Sequence, residues 1–183
     1  MAKHHDSITP DLADFIAAQP MFFVATAADE GRVNLSPKGL DGSFAVLGPR
    51  RVAFLNLTGS GNETAAHLRV NPRITVMFCS FTARPLILRL YGTARAVHAR
   101  DADWADLDRL FPAYAGKRQI VVVEVDDIIS SCGFGVPRMA MQEQRPTLPD
   151  WAAKKGDDGI RDYWREKNSV SFDGLPTGIL EDA

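Results

Sequence analysis

The chain has 183 residues, 45% of them hydrophobic and 24% charged, an ordinary composition for one domain with one core. Lys and Arg number 21 against 23 Asp and Glu, and a formal net charge of -2 gives no electrostatic ground for nucleic acid or an anionic membrane surface as partner. No apolar run is long enough to span a membrane, and the polar start, Met1 to Asp6, lacks an apolar signal core, so a cytoplasmic location is expected.

Thr9 and Pro10 read as an N-cap with proline in the first turn, opening a helix to about Ala18 with Leu12, Phe15 and Ile16 on one face. Pro20 closes it. Residues 21–26 form a β-leaning run, Asp29-Glu30-Gly31 a turn and residues 32–36 a returning strand, together a hairpin. Residues 43–47 make a brief strand before Gly48-Pro49, and residues 51–57 (RVAFLNL) a clear one. Thr58-Gly59-Ser60-Gly61 breaks that strand. Residues 62–70 then look helical until Asn71-Pro72, where the residue before proline is pushed out of the helical region.

Residues 73–81 and 86–97 follow as strands, 101–110 as an amphipathic helix and 118–125 (RQIVVVEV) as the last strong strand. In the run 86–97, Arg89, Tyr91 and Thr93 fall on one face and Leu88, Leu90 and Gly92 on the other. Six or seven strands with short turns and short helices predict a mainly β fold, a barrel with helical decoration whose core spans about 21–130. From Ser130 the pattern turns irregular, with Gly133 to Pro137, Pro146 to Pro149 and one short helix over 159–167. Trp151, Tyr163, Trp164 and Phe172 predict that this arm packs on the barrel or a neighbouring subunit.

The stretch from Leu57 to Thr64 carries the chemistry. A strand ends, Gly59 and Gly61 permit a tight backbone, and Thr58, Ser60, Asn62 and Thr64 crowd a helix start whose free amides and dipole suit a phosphate. The same residues have a plainer reading, because Ser60 and Glu63 have capping-box spacing and Glu63 is itself an anion. Alternation puts Asn34, Ser36 and Lys38 on one strand face, where they suit the polar edge of a planar heterocycle or simply meet solvent. Arg89, in an apolar strand, requires a carboxylate or an anionic ligand as partner. His4 and His5 sit in a terminus expected to fray, His67 and His98 lack ligand spacing, and Cys79 and Cys132 read as buried hydrophobes, so no metal site is expected.

In order and spacing, NLSPKG (34–39), RVAFLNLTGSGNETAAHLRVNPRITVMF (51–78) and LRLYGTARAV (88–97) resemble the pyridoxamine 5′-phosphate oxidase-like flavoproteins over about residues 21–125. The resemblance implies an FMN-binding split β-barrel and a homodimer with FMN in grooves between subunits. Thr58, Ser60, Gly61, Asn62 and Thr64 would then face the ribityl phosphate. Asn34, Ser36 and Lys38 would lie along the isoalloxazine ring, with Asn56 and Leu57 giving backbone contacts. The oxidases carry Ser-Arg-Lys at the helix start where this chain has Asn62-Glu63-Thr64. Lys38, Arg73 or Arg89 would supply the missing charge, or neutral donors suffice, or the pocket takes another ligand. The chain is therefore more similar to the broad group of related flavoproteins than to enzymes that oxidise pyridoxamine phosphate. The expected function is an FMN-dependent oxidoreductase on a small substrate. The alternatives are a non-catalytic carrier of flavin, deazaflavin or haem, and a protein whose polar clusters only cap and pair.

Overall fold

The computed structural model describes residues 2–181. Its elements run β1 (Lys3–His5), α1 (Pro10–Ala17), β2 (Met21–Thr26), β3 (Asn34–Gly39), β4 (Phe44–Gly48), β5 (Arg51–Leu57), α2 (Glu63–Val70), β6 (Arg73–Cys79), β7 (Leu86–Val97), α3 (Trp104–Asp108), β8 (Lys117–Cys132) and α4 (Thr147–Tyr163), which passes into a π-helical turn at Trp164–Asn168. The strands form one antiparallel sheet in the order β3-β2-β6-β7-β8-β5-β4, with β1 added along β8.

This sheet curls back on itself. β2 and β5 lie well apart in the sheet order, with β6, β7 and β8 between them, yet Phe22 and Phe54 meet edge-on with ring centroids 5.5 Å apart. Phe44 of β4 lies 5.0 Å from both Phe22 and Phe78. Each buried ring contributes about 1.5–3 kcal/mol by leaving water, and edge-to-face pairs add about 0.5–1.5 kcal/mol. The two wings therefore share one core while the edge strands β3 and β4 stay unpaired with each other. The fold is a split β-barrel, mainly β with short helices, as the sequence predicts. A second cluster, including Leu55, Val97, Phe111 and Ile120, lies against α3. β5 and β8 are thus buried on both faces, and so read as continuous apolar runs.

Several boundaries differ from expectation for identifiable reasons. β3 starts at Asn34 and runs through Pro37, which an edge strand tolerates. β8 continues to Cys132, well past Val125, because the acidic pair Asp126-Asp127 sits at a bulge within the strand. There Gly92 pairs with Val125 and Tyr91 with Asp127, leaving Asp126 as the extra residue. A Cβ at Gly92 would stand 2.0 Å from the Glu124 carbonyl oxygen, so only glycine allows this approach. His4 and His5 are held in β1 by pairing with β8, and His5 Nε2 meets Ser130 Oγ at 2.8 Å. α3 is only five residues long, and Cys132 is exposed, contrary to the expectation of a buried thiol. Pro146 to Pro149 do not stay irregular but start α4, which breaks at Gly156, where φ is 67°. Phe172 is 80% exposed despite its bulk, with the Arg32 guanidinium 4.9 Å over its ring. Among the described residues no helix is long and apolar enough to cross a membrane, and no group of three potential metal ligands occurs.

Candidate ligand cavity

Between the end of β5 and the start of α2 the chain turns its carbonyls inward. Gly59 O accepts from Asn168 Nδ2 at 3.1 Å, and Gly61 O accepts from Arg118 Nη1 at 2.9 Å. Asn62 is the N-cap residue of α2, but no side chain caps the helix, and the amides of Glu63 and Thr64 find no acceptor among the described residues. The expected Ser60–Glu63 capping box does not form. Instead both Glu63 carboxylate oxygens accept from the Phe172 amide at 3.1 Å, tying the helix start to the carboxy-terminal arm.

These groups open onto a cavity of about 860 Å³. One wall is the loop from Gly59 to Thr64, and a second is β3 with Asn34, Ser36 and Lys38. Asn56, Leu57 and Arg118 form the floor, and residues between Met141 and Trp151 of the arm make a third wall. Gln144 anchors that wall by donating to Asp41 Oδ1 at 3.0 Å.

The β3 face follows from register. Lys38 pairs with Phe22, Ser36 with Val24 and Asn34 with Thr26, so all three share the inner face with core residues. Lys38 Nζ donates to Asn56 Oδ1 at 2.8 Å, and Asn56 Nδ2 donates to Gln119 Oε1 at 3.0 Å. Asn34 Nδ2 donates to Thr26 Oγ1 and to Thr64 Oγ1, at 3.1 and 3.2 Å, joining the two walls. Ser36 Oγ, Asn62 Oδ1 and Arg118 Nε, all of residues lining the cavity, are buried without a protein partner, an unusual concentration of unmet polar atoms at one site.

Lys38 and Arg118 are the cations of the inner wall and floor, while Glu63, Glu143 and Arg145 also line the cavity. Burial, with the Arg118 charge added, pushes the Lys38 ammonium down to about 8, and burial pushes Arg118 down to about 9. Both remain protonated at neutral pH, and neither forms an ion pair with any carboxylate of the described residues. Sequence reasoning misses Arg118. The available signal is the one applied to Arg89, a cation beside an apolar strand run.

Two expected residues do not line the cavity. Thr58 is buried beneath the loop, donating to Gly116 O and accepting from Trp164 Nε1, each at 2.8 Å. Arg89 pairs with Met77, which pairs with Phe23, which pairs with Pro37, so it projects from the face opposite Lys38. Its partner is the Ser131 hydroxyl at 3.2 Å, neither a carboxylate nor this cavity.

A family model described as pyridoxamine 5′-phosphate oxidase matches residues 8–132. The chain belongs to that family. It is 39% identical to the pyridoxamine 5′-phosphate oxidase family protein ustO of Aspergillus flavus, over 96% of this chain and 78% of the relative. Among solved structures, a single-substitution variant of HupZ from Group A Streptococcus superposes with a TM-score of 0.56 at 22% identity, covering 68% of this chain and 99% of that one. A conserved protein of unknown function from Corynebacterium diphtheriae gives a TM-score of 0.51 at 14% identity, covering 72% and 98%. These two likenesses are of fold. The pyridoxamine 5′-phosphate oxidase family match ends with β8, so the loop, the β3 wall and Arg118 lie inside it, whereas the third wall and Asn168 come from the arm beyond it.

Proposed function

We propose that this protein binds FMN in the cavity and uses it as an oxidoreductase on a small substrate. The observation that carries the reading is a pair of cations without carboxylate partners, half-buried Lys38 and buried Arg118, facing a cavity whose loop amides are also unpaired. A buried charge without a counter-charge costs several kcal/mol, so a fold that keeps Arg118 this way, with Lys38 nearby, suits an anion. The volume, about 860 Å³, lies in the range of cofactor sites.

The ribityl phosphate would lie on the amides of Ser60 to Thr64 with Arg118 as its cation, answering the absence of Arg and Lys at the helix start. Ser36 Oγ and Lys38 would meet the polar edge of the ring, with Asn56 holding Lys38 in place. Bound flavin would supply two-electron transfer, and the chain would supply orientation and charge near the ring. The arm wall from Met141 to Trp151 would limit access of water and substrate. We also propose a homodimer. Val33 and Leu35 on or beside the edge strand β3 are 73% and 66% exposed, which a second subunit would cover.

Titrating the protein with FMN and riboflavin tests the reading. FMN is expected to bind and to raise the melting temperature. Arg118→Met is expected to weaken FMN by about 10- to 100-fold, the value of one charge-assisted contact, and to leave riboflavin within about threefold. Protein that binds neither ligand refutes the flavin reading.

A further inference from the structure

Asn168 is fully buried although it belongs to a turn whose preceding residues, Arg165 to Lys167, are exposed. That turn, Trp164–Asn168, is π-helical, a rare geometry that is frequent at functional sites. The Asn168 carboxamide spans the base of the loop. Its Nδ2 donates to Gly59 O at 3.1 Å and its Oδ1 accepts from Arg118 Nη1 at 2.8 Å. Its own carbonyl is held by Thr177 Oγ1 at 2.6 Å, which fixes the turn against the rest of the arm.

Arg118 therefore has only neutral acceptors, Gly61 O and Asn168 Oδ1, while its buried Nε has none. A carboxylate at position 168 would have nearly the same shape and would satisfy a buried guanidinium far better. It would also cancel the charge, and it could not donate to Gly59 O. The amide does the opposite on both counts: it holds the loop carbonyl and leaves the guanidinium charged.

We propose that Asn168 is a positioning residue, a neutral clamp from the carboxy-terminal arm that aims Arg118 into the cavity with its charge free for a phosphomonoester. The proposal rests on the anion-binding reading of the cavity. It makes the arm part of the ligand site, although it lies outside the segment matched by the family model.

The test uses the full chain, with FMN and riboflavin as paired probes and inorganic phosphate as a third. Asn168→Asp is expected to weaken FMN at least tenfold while riboflavin changes less than threefold, because only the phosphate meets the neutralised guanidinium. In the Arg118→Met background the same substitution is expected to leave the FMN-to-riboflavin ratio unchanged. A purely structural role would weaken both flavins alike in either background, and that result overturns the clamp, as does an unchanged ratio in the single variant. If the unsubstituted chain binds neither flavin, the flavin reading fails separately. The clamp then stands if phosphate raises the melting temperature of the unsubstituted chain but not of Asn168→Asp, and falls if the two respond alike or neither responds.

Discussion

Lys38 offers a test of the cavity that needs no ligand. Free lysine titrates near 10.5, and in the fold burial and the neighbouring Arg118 bring Lys38 down to about 8. Between those two values the unfolded chain still carries the proton that the folded chain has released. Unfolding then takes up a proton, so stability rises with pH across that window. One proton gives a limiting slope of about 1.4 kcal/mol per pH unit. Lys38 opens partly to the cavity, and any solvent that enters there narrows the gap between the two titrations and so the pH window, leaving the slope below that limit. Other groups titrate in the same range, Arg118 among them, and the measurement is therefore a difference. Lys38→Met keeps the length of the side chain and removes the charge. Its stability relative to the unsubstituted protein should be greatest near neutral pH and decline steadily as pH rises from about 8 to 10.5. Urea unfolding at intervals over that range, with the m-value checked for constancy, reads the difference directly. The absolute difference at one pH is not diagnostic, because the substitution also strands Asn56 Oδ1, whose donor Lys38 Nζ is. A difference that stays flat across the window would refute the claim that Lys38 is a desolvated, unpaired cation. A trend of opposite sign would mean that a carboxylate holds it.

Two further outcomes probe the loop and the sheet. Glu63→Gln keeps an acceptor for the Phe172 amide but removes an anion from the cavity lining, so FMN affinity should rise about fivefold, about 1 kcal/mol at partly solvated range; fluorescence titration showing equal or weaker binding would count against a phosphate at this loop. Gly92→Val puts a Cβ 2.0 Å from Glu124 O at the β7–β8 bulge and should destabilise by roughly 4 kcal/mol or more in urea unfolding, whereas a loss below about 1 kcal/mol would show that the bulge can relax.

The strands are legible in the sequence wherever pattern and boundary agree. β5 and β7 fall at the limits read from the residues, because Gly48-Pro49 precedes one and the alternation of Arg89 and Thr93 with Leu88 and Leu90 marks the other. β8 reads as too short because its apolar run stops at Val125 before Asp126-Asp127, and only pairing with Gly92 reveals a bulge there. The shared face of Asn34, Ser36 and Lys38 is legible, since strand alternation fixes it whatever the partner strand. Arg89 misleads for the converse reason. Alternation says that it faces away from Leu88, but which face holds a cavity depends on how the sheet curls, and that is settled by contacts such as Phe22 with Phe54 across the barrel.

The loop shows most clearly where local reasoning stops. Ser60 and Glu63 have the spacing of a capping box, and in isolation each would satisfy the other. In the fold, Glu63 is drawn to Phe172, 109 residues away, and Asn168 and Arg118 take the loop carbonyls from 109 and 57 residues away. A partner supplied from so far along the chain leaves no trace in the spacing of residues 57–64. The loop amides stay available because Asn168 of the arm and Arg118 of β8 have claimed the carbonyls and the arm's Phe172 amide has claimed Glu63. Ligand affinity and arm packing are then linked quantities: whatever loosens Asn168 should weaken phosphate binding, and bound phosphate should protect the arm amides near Asn168 from hydrogen exchange. Slow exchange there only in the presence of FMN would be the signature of that linkage, and exchange indifferent to FMN would separate the arm from the site.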